Sequence, residues 1–219
     1  MKVAAINGSP KTKNSAGALI ISQMERMLGE SILVYHALQL VRGETPAEVL
    51  TDILNCDVLL IVFPLYVDSL PSPLIELLVR LESAQTNGTT TPRLFTIVNS
   101  GFFEAEQNTL ALEMIEHFAH RSGLLWGYGM AIGGGGMLSS MGENWDRGPA
   151  SSIYKALHDM VDAIQSEKCS RNVFIRPVFP RFMYMIAADF GLRQLAKRNG
   201  VKDIRARPYL TQGEKVDFL

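Results

Sequence analysis

Met1-Lys2-Val3-Ala4-Ala5-Ile6-Asn7-Gly8-Ser9-Pro10-Lys11-Thr12-Lys13-Asn14-Ser15 opens the chain and decides how the rest is read. Val3 to Ile6 is an apolar run of strand length, too short to be the core of a signal peptide. Gly8 and Pro10 break the run. Ser15 then stands where a helix cap belongs, ahead of Leu19, Ile20, Met24, Met27 and Leu28 at helical spacing. Strand, loop and helix in that order are the first half of a βαβ unit. The loop carries the hydroxyls of Ser9, Thr12 and Ser15, the Asn14 amide, and Lys11 and Lys13 as counter-charge. With the free N–H groups of a helix start, such a set can wrap a phosphate. The same residues also suit a solvated turn with Ser15 as its cap, and both readings stand at this point.

The alternation continues along the chain. Short apolar runs at Ile32–Tyr35, Val58–Phe63, Leu94–Val98 and within Leu124–Ile132 predict four more strands. Between them lie helical patterns: one carries Val49, Ile53 and Leu54, and one starts at Pro71-Ser72-Pro73 and buries Leu74, Leu77, Leu78 and Leu81. A third runs Leu110, Met114, Phe118 with Ala111, Ile115 and Ala119 beside them, which predicts a wide apolar stripe. A last one follows Pro149, with Ile153, Leu157, Met160, Val161 and Ile164 on one face. Five strands alternating with five helices predict an α/β fold, a doubly wound parallel sheet covered on both faces, spanning residues 1–168. Gly133-Gly134-Gly135-Gly136 is too short for an interdomain linker and is read as the loop after strand five.

Beyond Lys168 the alternation stops. Phe182, Met183, Tyr184, Met185, Ile186, Phe190, Leu192 and Leu195 leave a helix over Arg181 to Arg198 apolar around much of its circumference, so it wants more than one neighbour. Residues 169–219 are therefore expected to form a C-terminal helical extension that packs across its own domain or against a second subunit, with a homodimer as the expected assembly. Lys197, Arg198, Lys202, Arg205 and Arg207 make this region basic, as an anion-attracting surface or as a merely solvated face.

Composition narrows the function. The 219 residues are 47% hydrophobic and 20% charged, with 21 basic against 22 acidic side chains and a net charge of -1, which argues against broad electrostatic binding of nucleic acid. No apolar run reaches the roughly 20 residues of a membrane helix. Cys56 and Cys169 are far apart and outside any CxxC or His/Cys cluster, which argues against a disulfide scaffold, a zinc site or an iron–sulfur cluster and fits a reducing, cytoplasmic setting. His117 and His120 share a helix face near Glu113 and Glu116, and a solvated polar face accounts for them without a metal. Trp145 is read as a cap over the site from the loop after strand five, or as a surface anchor.

In an open parallel sheet the ligand sits at the carboxyl ends of the strands, where the winding direction reverses. Two further loops open there. Phe63-Pro64-Leu65-Tyr66-Val67-Asp68-Ser69-Leu70-Pro71 offers a stiff exit from strand three and a tyrosine that can lie against a planar ring or simply pack. Asn99-Ser100-Gly101-Phe102-Phe103-Glu104 offers a glycine for close approach of backbone to ligand and two phenylalanines as walls. The first loop matches neither the triphosphate pattern GxxxxGK[ST] nor the dinucleotide pattern GxGxxG, since Gly8 is its sole glycine, and what remains suits a monophosphate.

Taken in order, Gly8-Ser9-Pro10-Lys11 with Asn14-Ser15, Pro64-x-Tyr66 leading to Pro71, and Asn99-x-Gly101-Phe102 resemble the flavodoxin-like NAD(P)H-dependent FMN reductases and quinone reductases over residues 1–165. The resemblance implies a five-stranded parallel sheet in the order 2-1-3-4-5, bound FMN, NAD(P)H as co-substrate and a small-molecule electron acceptor such as a quinone, a nitro or azo compound, or free flavin. It implies that Ser9, Lys11, Asn14 and Ser15 hold the FMN phosphate. Pro64, Leu65, Tyr66 and Val67, with Asn99, Ser100, Gly101 and Phe102, would border the ring. Ile75-Glu76 and Val79-Arg80 depart from the Leu-Lys and Asp-Arg pairs of many relatives, and His36 to Gly43 has no cysteine, unlike the iron–sulfur members. A flavodoxin-type electron carrier is the alternative; carriers are usually shorter and strongly acidic, and this chain is neither.

Overall fold

A computed structural model describes residues 1–11, 14–29, 32–84, 91–142, 144–201 and 203–205. The apolar runs become β1 (Val3–Asn7), β2 (Leu33–His36), β3 (Val58–Pro64), β4 (Arg93–Asn99), β5 (Leu125–Ile132) and β6 (Val173–Ile175) of one sheet. Its order is β2-β1-β3-β4-β5-β6, and every neighbouring pair is parallel. The expectation of five strands is thus corrected to six. The added strand, three residues from the stretch read as extension, pairs Met130 with Val173 and Ile132 with Ile175 at the β5 edge. Three residues are too few to carry a period of two, so the sequence offered no strand signal there.

Successive residues of each strand feed opposite faces. Val3, Ala5, Leu60 and Val62 join one core with Ile20, Met24, Leu157 and Met160, from α1 (Ala16–Leu28) and α6 (Ser151–Gln165). Ala4, Ile6, Leu59 and Ile61 join the other with Ile53, Leu74, Leu77 and Ile115, from α3 (Ala47–Leu54), α4 (Ser72–Ser83) and α5 (Thr109–Arg121). The result is the three-layer, doubly wound arrangement that the alternation predicts. A short α2 (Ala37–Val41), which the periodicity did not reveal, follows β2 directly. Arg80 of α4 donates to the carbonyls of Leu40 and Gly43 and to Thr45 Oγ1, and so satisfies the end of α2 that lacks a glycine cap.

The α5 stripe is rotated from the expected one. Ala111, Leu112, Ile115, Phe118 and Ala119 are buried, whereas Leu110 and Met114 are 60% and 42% exposed. The two small alanines let the helix axis approach the sheet, so their side of the helix turns inward and the longer residues at 110 and 114 face out. Trp145 is a second correction: it is 1% exposed, part of the α1–α6 core, with its indole N–H donating to the Gly142 carbonyl, and is neither a lid nor a surface anchor.

The chain divides into two compact units, Met1–Val178 and Phe179–Leu219. The second contains α7 (Arg181–Arg198), an 18-residue helix with no buried residue. Phe182, Ile186, Phe190 and Leu192 are each more than 60% exposed. No helix among the described residues is long and apolar enough to cross a membrane.

Candidate functional site

Strands β1 and β3 lie side by side although β2 falls between them in the chain, so their carboxyl ends form the point where the winding reverses. Asn7 registers with Val62, and Pro64 with Asn99, which brings the loops after β1, β3 and β4 out together. Gly8 N–H donates to the Val62 carbonyl and Leu65 N–H to the Asn99 carbonyl, each at 2.8 Å, so both exits are tied to the neighbouring strand.

These loops enclose a cavity of about 220 Å³. It is lined by Ser9, Lys11, Asn14, Ser15, Ala16 and Gly17 from the first loop and α1, Pro64, Leu65 and Tyr66 from the second, Asn99 and Gly101 from the third, and Gly135 and Gly136 from the loop after β5. Val67, Ser100 and Phe102, also expected at the site, do not line it: Val67 is 98% and Phe102 53% exposed, and Ser100 is buried beneath. Thr12 and Lys13 lie outside the described residues. A wider hollow of about 790 Å³ lies along the end of α7 and is lined, among the described residues, by that helix and the turn after it.

The first loop supplies the electrostatics. Ser15 is the N-cap of α1, with extended backbone and its Oγ accepting from the Ala18 N–H at 3.1 Å. The first-turn amides at Ala16 and Gly17 have no partner within the helix, and the helix dipole adds partial positive charge where they point. Ser9 Oγ accepts from the Lys11 N–H at 3.2 Å, which folds the loop back over the helix start. Asn7, which sequence reasoning did not place at the site, is fully buried beneath the loop and holds both arms of it. Its Oδ1 accepts from the Ser9 N–H at 3.0 Å and its Nδ2 donates to Ser15 Oγ at 3.2 Å. No acidic side chain lines the cavity, and Lys11 is its one formal charge among the described residues.

The second loop turns back on itself immediately. Tyr66 and Ser69 exchange N–H···O bonds of 3.0 Å, and Val67 and Asp68 between them have φ of 50° and 55°. This is a tight two-residue turn of the kind that normally takes Asn-Gly. It leaves Tyr66 43% exposed at the cavity edge with its ring face available. In the third loop, Asn108 Nδ2 donates to Ser100 Oγ and to the Ala105 carbonyl, so Ser100 serves the loop's own structure. Arg176 pairs with Glu106 and holds that carboxyl below the usual carboxylate range, and the exposed pair adds little stability. Asn99 is 95% buried by its 5% exposure, and its Oδ1 has no partner among the described residues.

Gly135 closes the side of the cavity. Its N–H donates to the Ser100 carbonyl at 2.7 Å, and a Cβ there would stand 2.9 Å from Asn99 Nδ2 and 3.1 Å from the Ser100 carbonyl oxygen. A side chain at that place would have to push the Asn99 amide aside and crowd the Ser100 carbonyl. The sequence signal was the glycine run itself, which marks a close approach but not the partner. Elsewhere, His117 and His120 lie along α5, and among the described residues no group of three His, Cys, Asp or Glu side chains is placed to hold a metal.

No family model matches the chain. No curated protein matches it either. Solved structures do. An NADH:FMN oxidoreductase in its apo form aligns with 77% of this chain and 90% of its own, at a TM-score of 0.57 and 16% identity. The general stress protein 14 of Treponema denticola, solved in complex with FMN, aligns over 76% of this chain and 97% of its own at a TM-score of 0.50 and 12% identity. A flavodoxin of Streptococcus pneumoniae aligns over 75% and 99% at a TM-score of 0.51 and 16% identity. At these identities the likeness is one of fold. The flavodoxin-like resemblance read from the sequence is met at that level.

Proposed function

We propose that this chain is an FMN-dependent oxidoreductase that takes hydride from NAD(P)H and passes the electrons to a small-molecule acceptor. The observation that carries the reading is the set of donors at the β1 exit. Ser9 and Ser15 hydroxyls, the Lys11 ammonium and the free amides of the α1 start meet with no carboxylate among them, which suits a phosphate monoester.

The residues present fit FMN. A cavity of about 220 Å³ is below the roughly 300–1,000 Å³ of full ligand pockets, so it accommodates the phosphate and ribityl chain and leaves the ring at its mouth. There Tyr66 offers an aromatic face, Pro64 and Leu65 an apolar edge, and the unpartnered Asn99 Oδ1 an acceptor for an N–H or O–H of the ligand. Bound FMN would supply hydride acceptance and electron release. The chain's own contribution is to hold the phosphate, orient the ring between the β3 and β4 loops, and leave one ring face open to nicotinamide and then to the oxidant. No protein acid or base is required for that.

The carrier alternative uses the same loops without a nicotinamide site. The near-zero net charge favours the enzyme, because a carrier docks its partners through strong charge. Reconstitution with FMN, followed by anaerobic mixing with NADH and with NADPH, tests the proposal. Bleaching of the flavin absorbance near its long-wavelength band with either donor, and turnover with a simple quinone, is the expected result. Bound flavin that stays oxidised with both donors would refute it.

A further inference from the structure

A serine hydroxyl can donate or accept, so two serines near a phosphate do not by themselves make an anion site. Something has to fix which way they point. Ser15 Oγ accepts from the Ala18 N–H at 3.1 Å and from Asn7 Nδ2 at 3.2 Å. A hydroxyl oxygen has two lone-pair sites and one hydrogen, so both acceptor positions are taken and only the O–H remains. That hydrogen has one direction left, into the cavity that Ser15 lines.

The Asn7 amide cannot be turned over to undo this. Its other end faces the Ser9 N–H at 3.0 Å, and a backbone N–H can only donate, so the atom meeting it must be the amide oxygen. The amide nitrogen is thereby committed to Ser15. Asn7 is itself fully buried at the carboxyl end of β1, where its backbone is paired to β2 and β3, so the side chain has a rigid base. The surroundings are shaped to receive it: a Cβ on Gly17 would stand 2.9 Å from Asn7 Oδ1.

We propose that Asn7 is the positioning residue that sets the polarity of the phosphate cradle, turning Ser15 into an obligate donor toward the bound phosphate and anchoring the Ser9 arm opposite it. The inference rests on the reading of this cavity as the FMN phosphate site. Asn7 touches neither phosphate nor ring. It acts through Ser15.

Asn7→Asp tests it with almost no change in shape. One carboxylate oxygen still accepts from the Ser9 N–H, but the other accepts where the amide donated, so the Ser15 O–H turns away from the cavity and presents a lone pair to the phosphate. Flavin fluorescence quenching gives dissociation constants for FMN and for riboflavin, which lacks the phosphate. In the wild type FMN should bind more tightly than riboflavin. In Asn7→Asp the FMN affinity should fall by about tenfold or more, as expected for a hydrogen bond to a charged group, while riboflavin affinity holds. Asn7→Ala, which removes the donor without adding charge, should shift FMN affinity in the same direction and again spare riboflavin. In a Ser15→Gly background, where glycine keeps a tolerable cap, the Asn7→Asp penalty should shrink to about threefold or less.

Parallel loss of FMN and riboflavin would make Asn7 a merely structural residue and overturn the proposal. An undiminished penalty in the Ser15→Gly background would show that charge rather than the hydroxyl carries the effect, and overturn it too. FMN affinity unchanged in both Asn7 variants would do the same. If the wild type binds riboflavin as tightly as FMN, the phosphate-site reading itself fails, and the wild-type titration alone reveals that. Circular dichroism of each variant confirms that folded protein is being compared.

Discussion

Replacing Gly8 by alanine asks whether the β1 exit is as tightly seated as its contacts indicate. An added Cβ would lie 2.8 Å from Phe63 Cβ and 2.9 Å from Leu74 Cδ2. Carbon atoms prefer about 3.5–4.0 Å, so roughly an ångström must be recovered by movement. Phe63 cannot provide it: the contact is at its Cβ, on a β3 residue registered with Val98, and both Phe63 and Leu74 are fully buried. The loop must lift instead, stretching the 2.8 Å bond from Gly8 N–H to the Val62 carbonyl. Overpacking of this kind costs about 1–3 kcal/mol. Gly8 is outside the left-handed region, so alanine also stiffens the unfolded chain and recovers about 0.4–1 kcal/mol. The net expectation is a loss of about 1–2 kcal/mol, read as a lower urea midpoint at unchanged slope, together with weaker FMN binding because Ser9 and Ser15 no longer converge. Gly43→Ala is the control. Nothing stands within 4 Å of a Cβ there, and the same backbone argument predicts no loss or a slight gain. Equal midpoints for Gly8→Ala and wild type would refute the account of the loop.

Val67 gives an opposite prediction. A β-branched residue at φ 50° that is 98% exposed holds strain with no burial to offset it, so Val67→Gly or Val67→Asn should raise stability by about 1 kcal/mol in the same urea assay. The two cysteines should separate cleanly at pH 8, where Ellman's reagent should titrate exposed Cys169 in the native protein and Cys56 only after unfolding. Burial pushes the Cys56 thiol up to about 11. Because the unfolded thiol ionises first, the folded state binds more protons in that interval, and stability should decline from the ordinary thiol range up to about pH 11; Cys56→Ala should lessen the decline. Finally, the exposed apolar circumference of α7 carries the expectation of self-association. Sedimentation should show a dimer that Phe190→Glu with Ile186→Glu converts to monomer, and a monomeric wild type at micromolar concentration would refute that expectation.

The sequence by itself determined five of the six strands of the central sheet, the cap at Ser15, and the three loops that meet at the candidate cavity. Each is a local matter: apolar runs of strand length, a hydroxyl ahead of a helical period, and glycine, proline and amide residues at strand exits. The buried faces of α4 and α6 were equally legible, since Leu74, Leu77, Leu78 and Leu81, and Ile153, Leu157, Met160, Val161 and Ile164, form one stripe each. On α5 two neighbouring stripes were both apolar, and the close approach of the helix to β4 and β5 chose the one with the alanines.

Only the tertiary structure decided the rest. β6 exists because the β5 edge offers it partners. Trp145 is buried because α1 and α6 enclose it. Gly135 and Gly136 wall the cavity through backbone alone, and glycine carries no side-chain signal to say what it faces. Asn7 looks in sequence like the last residue of a strand; its task appears once the chain folds back and sets its amide between Ser9 and Ser15. Hydrogen-bond polarity is a property of three groups held together in space, and no spacing along the chain encodes which of them must donate.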